Sequence, residues 1–280
     1  MAQHVLKYTK HGIYHIDLIS TIYENLFKTL KIPKKKPFSV MDIGCGSGRV
    51  LFDVLYPLLP NNCEEIIATD IDESMINYCK EINTVSKISF LTMNIEGDKI
   101  PETLEARFNM IFSSYCFMYV SNLRQALFNC KKMMKENGDL HLVFISKINP
   151  LHSVYAELDR IDAWKPYTKN FGNYVPHFSS PDPDSELNSL VKAVDLKLVS
   201  REFLDNNEFE SEKLNFLEVF TSMDRISRTV PMEKREKYQR DFKLILSEVL
   251  GLNMKDKSNL EKTDRMKMNI PAVVLHMRKC

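Results

Sequence analysis

The 280-residue sequence has no long apolar run, no cysteine pair at metal-ligand spacing and almost no net charge. Each absence removes a class of function. Without about 18 consecutive apolar residues, no segment can span a bilayer as a helix. Lysine and arginine number 38 against 37 for aspartate and glutamate, so no basic field argues for nucleic acid or a membrane surface. The one basic cluster, Lys34-Lys35-Lys36, lies between Pro33 and Pro37 and reads as a solvated linker. The six cysteines (Cys45, Cys63, Cys79, Cys116, Cys130 and Cys280) form no C-x-x-C pair and no Cys/His ligand spacing. Most sit inside apolar strand or helix candidates, where a free thiol behaves as a small hydrophobe, and no metal is expected. Residues 1–12 are polar and lack the apolar core of a secretory leader. A reduced, cytoplasmic protein without stable membrane insertion is the expectation. No internal repeat or low-complexity tract is evident.

What is present begins at residues 39–48, Ser-Val-Met-Asp-Ile-Gly-Cys-Gly-Ser-Gly. Val40, Met41 and Ile43 are strand formers, and Gly44, Gly46 and Gly48 follow at a spacing of two. A strand that feeds a glycine-rich turn and then a helix brings bare backbone against a ligand, since a Cβ there would block the approach. A dinucleotide fingerprint needs G-x-G-x-x-G, and its last position would fall on Arg49. The third glycine comes one residue early, and Asp42 precedes the first by two.

Around this turn the chain alternates. Apolar groups at Ile16, Ile19, Tyr23, Leu26, Phe27 and Leu30 predict an amphipathic helix over 13–30. Strands are expected at 38–43, 65–70, 88–93, 108–113 and 140–145, with helices at 49–58, 74–82 and 122–135 between them, and a turn at Asn137-Gly138. Nearly continuous apolar strands alternating with helices predict a mostly parallel sheet covered on both faces, its ligand beyond the strands' carboxyl ends. The second half is less regular: a helix over 150–164, a proline- and aromatic-rich lid over 165–184, a helix at 185–194 and a strand at 196–203. Two helices near 212–224 and 232–250 follow, then a polar, exposed stretch at 251–269. The apolar run 270–277 is expected as a strand that can pair antiparallel with the main sheet. The anticipated organisation is a single domain: a helical cap (1–36), a cofactor core (37–149), a lid (150–194) and remaining strands and cap helices (195–280).

The D-x-G-x-G-x-G pattern resembles the first motif of the Rossmann-like class I methyltransferases that use S-adenosylmethionine. The resemblance implies cofactor contacts from Asp42, Gly44, Cys45, Gly46 and Gly48. Asp70, at the end of the second strand, suits the two hydroxyls of a ribose, with Ile71 beside it. A helix N-cap is the alternative for Asp70, and Asp72 competes for that cap. Asn94, followed by Ile95, stands where this class places an adenine contact, and a plain turn residue is its alternative. Ser114 and Tyr115 should border the transferred methyl. The [D/N]-P-P-[Y/F] motif of methyltransferases acting on nucleobase amines is missing here, which disfavours that acceptor.

Read together, Asp70-Ile71-Asp72-Glu73-Ser74-Met75, Asn94-Ile95-Glu96-Gly97-Asp98, Phe108 to Val120, Val154-Tyr155, Trp164 and Asp182-Pro183 resemble the arthropod juvenile hormone acid O-methyltransferases over essentially the whole chain. That family methylates the carboxylate of farnesoic or juvenile hormone acid without a metal. It implies acceptor contacts from Tyr115, Met118 and Trp164, and catalytic positions at His15 and Tyr119. Two departures stand out. Met118-Tyr119 replaces the family's His-Trp, and His15 falls near a family Gln. Tyr119 and His15 both retain a hydrogen-bond donor, and a core or surface role for His15 stays open. A carboxylic acid with pKa near 4.3 is more than about 99% ionised at neutral pH. It is already a nucleophile, which fits a sequence with no obvious catalytic dyad. The expected activity is therefore S-adenosylmethionine-dependent methylation of a lipophilic carboxylic acid. Another small acceptor, or a non-catalytic cofactor- or lipid-binding role, stays open beside it.

Overall fold

The computed structural model describes residues 3–11, 16–30, 32–33, 36–145, 150–169, 181–205, 208–252 and 265–280. In chain order the elements are α1 (Gln3–His11), α2 (Ile16–Thr29), β1 (Phe38–Ile43), a π-helical turn (Leu51–Leu55) running into α3 (Tyr56–Leu58), β2 (Cys63–Asp70), α4 (Glu73–Ile82), β3 (Ile88–Thr92), β4 (Phe108–Ser114), α5 (Leu123–Met133), β5 (Met134–Ile145), α6 (Pro150–Asp159), α7 (Lys165–Thr168), α8 (Pro183–Ala193), β6 (Lys197–Leu204), β7 (Glu208–Glu212), α9 (Lys213–Ser222), α10 (Met232–Val249), β8 (Arg265–Asn269) and β9 (Ala272–Arg278).

Seven strands form one sheet in the order β3-β2-β1-β4-β5-β9-β6. The first five are parallel, and β9 runs antiparallel to both β5 and β6. Successive strand residues alternate between two cores. Val40, Ile66, Met110 and Val143 face α2, the π turn and α4, where Tyr23, Leu51 and Ile76 meet them. Met41, Ile67, Ile111 and Phe144 face the other way, onto Leu127 of α5, Leu187 of α8 and Phe242 of α10. Burial on both sides explains why the central strands β1 and β4 read as apolar runs, while the edge strands β3 and β6 keep exposed residues.

Several boundaries differ from expectation for identifiable reasons. The helix expected at 49–58 opens into a π turn: Pro57 has no N–H to donate, and the Tyr56 N–H reaches back five residues to the Leu51 carbonyl. Asn137-Gly138 is a bulge inside β5, which begins at Met134. Asn137 takes a positive φ of 62°, and its N–H bonds the Lys279 carbonyl at 3.0 Å. The polar stretch ending at 269 contains β8, paired with β7 through alternating charges such as Arg265–Glu210 at 2.8 Å. Helix α1 is an addition to the sequence expectation. The expected 13–30 helix starts at Ile16 within the described residues.

Candidate active site

Beyond the carboxyl ends of β1, β2 and β4 lies a cavity of about 500 Å³, and a smaller one of about 50 Å³ adjoins it. The glycine turn forms the floor. Thr69 at the end of β2 accepts the N–H groups of Gly44 (2.7 Å) and Cys45 (2.9 Å), which folds the turn back over the sheet. Asp70 then ties two loops together: one carboxylate oxygen accepts the Gly46 N–H at 2.9 Å and the other the Asp72 N–H at 2.9 Å. Burial still pushes the Asp70 carboxyl up, opposed by those two donors and by the Arg225 charge. The competition for the α4 cap goes to Asp72, which accepts the Ser74 N–H at 3.0 Å. Arg228 pairs with Asp72 at 2.7 Å. Burial opposes ionisation of Asp72, but its bonds to Ser74 and Arg228 outweigh it and hold the carboxyl at about 2.

Gly44, Gly46, Asp70, Ile71, Ser114 and Tyr115 border the larger cavity, as do Met118 and Tyr119. Asn94 and Ile95 border the smaller one, together with Asp70, Ile71 and Tyr119. Asn94 also serves its turn, accepting the Glu96 N–H at 3.1 Å. The Ser114 hydroxyl shares a 2.6 Å hydrogen bond with the Tyr23 hydroxyl, fastening α2 to the end of β4. Tyr115 follows with φ +56°, an uncommon backbone for a bulky residue. Strain of this kind gathers where a ligand wall must be aimed.

Four of the described sequence-predicted residues, Asp42, Cys45, Gly48 and Trp164, stand apart from the cavity walls. His15 lies outside the described residues. Cys45 and Gly48 sit on the far side of the turn, Gly48 donating to the Cys45 carbonyl at 2.9 Å. Trp164, expected against the acceptor, is buried behind the site. Its indole N–H donates to Asp241 at 2.9 Å and its ring meets Tyr238 edge-on at 5.3 Å.

Asp42 lies beneath the turn at 3% exposure, and its Oδ2 has no hydrogen-bond partner. Burial, with a further push from the Asp70 charge, raises its carboxyl to about 7. The folded state therefore favours the protonated acid, and stability falls as pH rises from about 4 through 7. The full shift is equivalent to about 4 kcal/mol. Asp42→Asn, which cannot ionise, should exceed the parent in unfolding free energy at pH 8 by up to that amount and match it at pH 4. Denaturant titrations at the two pH values measure the difference, and an equal effect at both would contradict the assignment.

Sequence reasoning missed most of the cavity's cover. Tyr8 of α1 stands over Gly46, and Val219 and Phe220 of α9 close the apolar end with Met223. Arg225 and Arg228 enter from the turn between α9 and α10. That turn is built around Asp224, whose Oδ1 accepts from the Tyr155 hydroxyl (3.3 Å), the Tyr238 hydroxyl (3.1 Å) and the Ile226 N–H (3.0 Å).

A family model described as a methyltransferase domain matches residues 34–180. The juvenile hormone acid O-methyltransferase of Drosophila melanogaster is 30% identical over 233 residues, which cover 80% of this chain and 74% of that protein. The protein of the same name from Bombyx mori is 24% identical over 255 residues, or 88% of this chain and 87% of that one. A solved structure of a putative methyltransferase from Bacillus halodurans C-125 superposes with a TM-score of 0.53 over 92% of this chain and 99% of that one. At 14% identity, that likeness speaks to the fold alone.

Proposed function

The chain belongs to the methyltransferase-domain family together with the juvenile hormone acid O-methyltransferases, and from that membership we propose that it methylates the carboxylate of a small lipophilic acid, with S-adenosylmethionine as donor. One observation carries the reading: a single cavity joins a bare-backbone, carboxylate-rimmed end at Gly44, Gly46 and Asp70 to an apolar end at Ile145, Val219, Phe220 and Ile270. The cofactor fits the first end. Side chains at Gly44 and Gly48 would collide with Cys116 and Phe52, so the cradle depends on bare backbone. The acidic rim suits ribose hydroxyls as acceptors. When bound, the cofactor supplies a methyl group on a positively charged sulfur.

The protein's work is then positioning. A carboxylate ionised at neutral pH needs no general base, and orientation alone can contribute effective molarities on the order of 10⁵ M or more. Ser114 and Tyr115 would stand beside the transferred methyl, with Met118 and Tyr119 against the acceptor. The apolar walls exclude water from the carboxylate, which strips part of its hydration shell. Asn94 and Ile95 would take the adenine in the smaller cavity. Among the described residues no group of His, Cys, Asp and Glu is arranged to hold a metal, and no helix is long and apolar enough to cross a membrane.

Calorimetry with S-adenosylmethionine, followed by transfer of a radiolabelled methyl to a panel of fatty and terpenoid acids, tests the proposal. Micromolar cofactor binding and base-labile methyl ester are the expected results. Cofactor binding without ester from any acid would favour a different small acceptor, a reading the Met118-Tyr119 departure supports. No binding at millimolar cofactor would leave only a lipid-binding role.

A further inference from the structure

Four charged side chains border the larger cavity: Asp70, Asp72, Arg225 and Arg228. Three are already committed. Asp70 holds two backbone N–H groups, and Asp72 and Arg228 pair with each other. The Arg225 guanidinium makes no hydrogen bond or ion pair among the described residues. It lies over the Tyr119 ring, with its central carbon 5.8 Å from the ring centroid. Arg225 also borders both cavities, as do Asp70, Cys116 and Tyr119.

Its backbone is fixed although its charged head makes no hydrogen bond or ion pair among the described residues. The Arg225 N–H donates to the Tyr155 hydroxyl at 3.2 Å, and the adjoining Asp224 is held by three further hydrogen bonds. Trp164 packs against Tyr238 behind this turn. A rigid turn thus presents a half-buried guanidinium to the cavity. A guanidinium is planar, stays charged and matches a carboxylate with two parallel N–H donors. The ring of Tyr119 beneath it favours a cation at that position.

We infer that Arg225 captures the acceptor's carboxylate and selects acids over neutral lipids of the same shape. The inference rests on the carboxyl-methylation reading above and names the residue that would read the substrate's charge. The chemistry also sets where the effect appears. In the transfer, a carboxylate oxygen forms a bond to the methyl carbon as the carbon–sulfur bond breaks, with its electron pair leaving on sulfur. The acceptor's negative charge and the sulfonium's positive charge both vanish, and no proton moves. A cation on the carboxylate therefore favours the bound acid at least as much as the transition state. Arg225 should lower KM without raising kcat, and its hold on the neutral ester product should be weak.

The test uses the full chain with farnesoic acid, its primary amide and its methyl ester as probes. Binding is measured in the presence of S-adenosylhomocysteine, and turnover with S-adenosylmethionine. The parent should bind the acid at least tenfold tighter than the amide or ester. Arg225→Gln should erase that preference and raise KM for the acid about 10- to 100-fold, with kcat at saturating cofactor and acid within threefold. Arg225→Lys, which keeps the charge but not the paired donors, should recover part of the loss. A melting temperature equal to the parent's shows that the variants fold. If the parent methylates acids and Arg225→Gln has the same KM, the assignment is overturned while the carboxyl-methylation reading stands. If the parent neither binds nor methylates any acid, both fall.

Discussion

Gly44→Ala should abolish cofactor binding and lower kcat/KM for methyl transfer by at least a hundredfold. Gly44 has φ +74°, and a Cβ built on it would overlap both Cβ and Sγ of Cys116. The sulfur could swing away, but a Cβ is fixed to its own backbone. The turn must therefore move relative to the segment after β4, and those two pieces of backbone form the cavity floor. The left-handed conformation adds about 1–2 kcal/mol for a residue with a side chain, and overpacking a tight contact costs about 1–3 kcal/mol. Cys116→Gly in the same chain removes both overlapping atoms and should restore part of the binding. Gly46→Ala is the milder control: it carries the same left-handed strain at φ +54°, but its Cβ would meet only Tyr8, Cε1 at 3.5 Å and the hydroxyl oxygen at 3.9 Å. Calorimetry on the three variants gives the ranking. Cofactor affinity unchanged in Gly44→Ala would remove the cofactor from this turn.

Acid should unfold the protein early, and His141 should account for much of it. His141 lies in β5 at 1% exposure, between the rings of Phe112 (5.1 Å) and His276 (4.3 Å), and neither of its ring nitrogens has a hydrogen-bond partner. Burial, reinforced by the neighbouring His276, takes its pKa down to about 3. In the unfolded chain the same imidazole accepts a proton near pH 6.5. Between those values the unfolded state binds more protons, so stability is intact above 6.5 and is lost as pH falls toward 3. The loss is about 2 kcal/mol by pH 5 and about 5 kcal/mol by pH 3 at 1.36 kcal/mol per unit. His141→Phe keeps a ring between the same neighbours and removes the titration. Its unfolding free energy should change between pH 7.5 and pH 5 by about 2 kcal/mol less than the parent's. An identical pH dependence in the two proteins would place the acid sensitivity elsewhere, for instance at His152, whose pKa burial lowers to about 4.

The parts of the fold legible in the sequence are those with a local cause. Strands β1 and β4 are buried on both faces and spell themselves as apolar runs, and the turn at 44–48 needs glycine for its φ values. Helix α1 escapes a sequence reading because QHVLKYTKH is short and polar on average. Its Val5 is buried only because α9 comes to meet it. Strands β7 and β8 escape a sequence reading because the charges on one face, paired as Arg265–Glu210 and Lys267–Glu208, mask the alternation of Met266 and Met268, which pack against the core on the other. The same distinction runs through the site. Gly44, Gly46, Asp70 and Asn94 follow strand ends, so chain order alone brings them to one rim. Arg225 and Phe220 reach that rim only through the docking of α9 and α10, which no local pattern encodes. Trp164 shows the converse: its type suggested an acceptor wall, yet its indole N–H needed a buried partner and found Asp241.

The position of β9 also constrains how the chain can be made. Strand β9 fills the slot between β5 and β6, pairing with Val143 and Phe144 on one side and with Glu202 and Phe203 on the other. During synthesis β5 and β6 leave the ribosome well before it, with α9 and α10 still to come. Until β9 arrives, β6 has no neighbour in the main sheet and β5 exposes an apolar edge able to pair with another chain. Growth of the parallel half can proceed from the amino terminus as each strand appears, but the sheet becomes continuous only with its final strand. Every residue between Ile145 and Ala272 is thus made while that edge of β5 stays open.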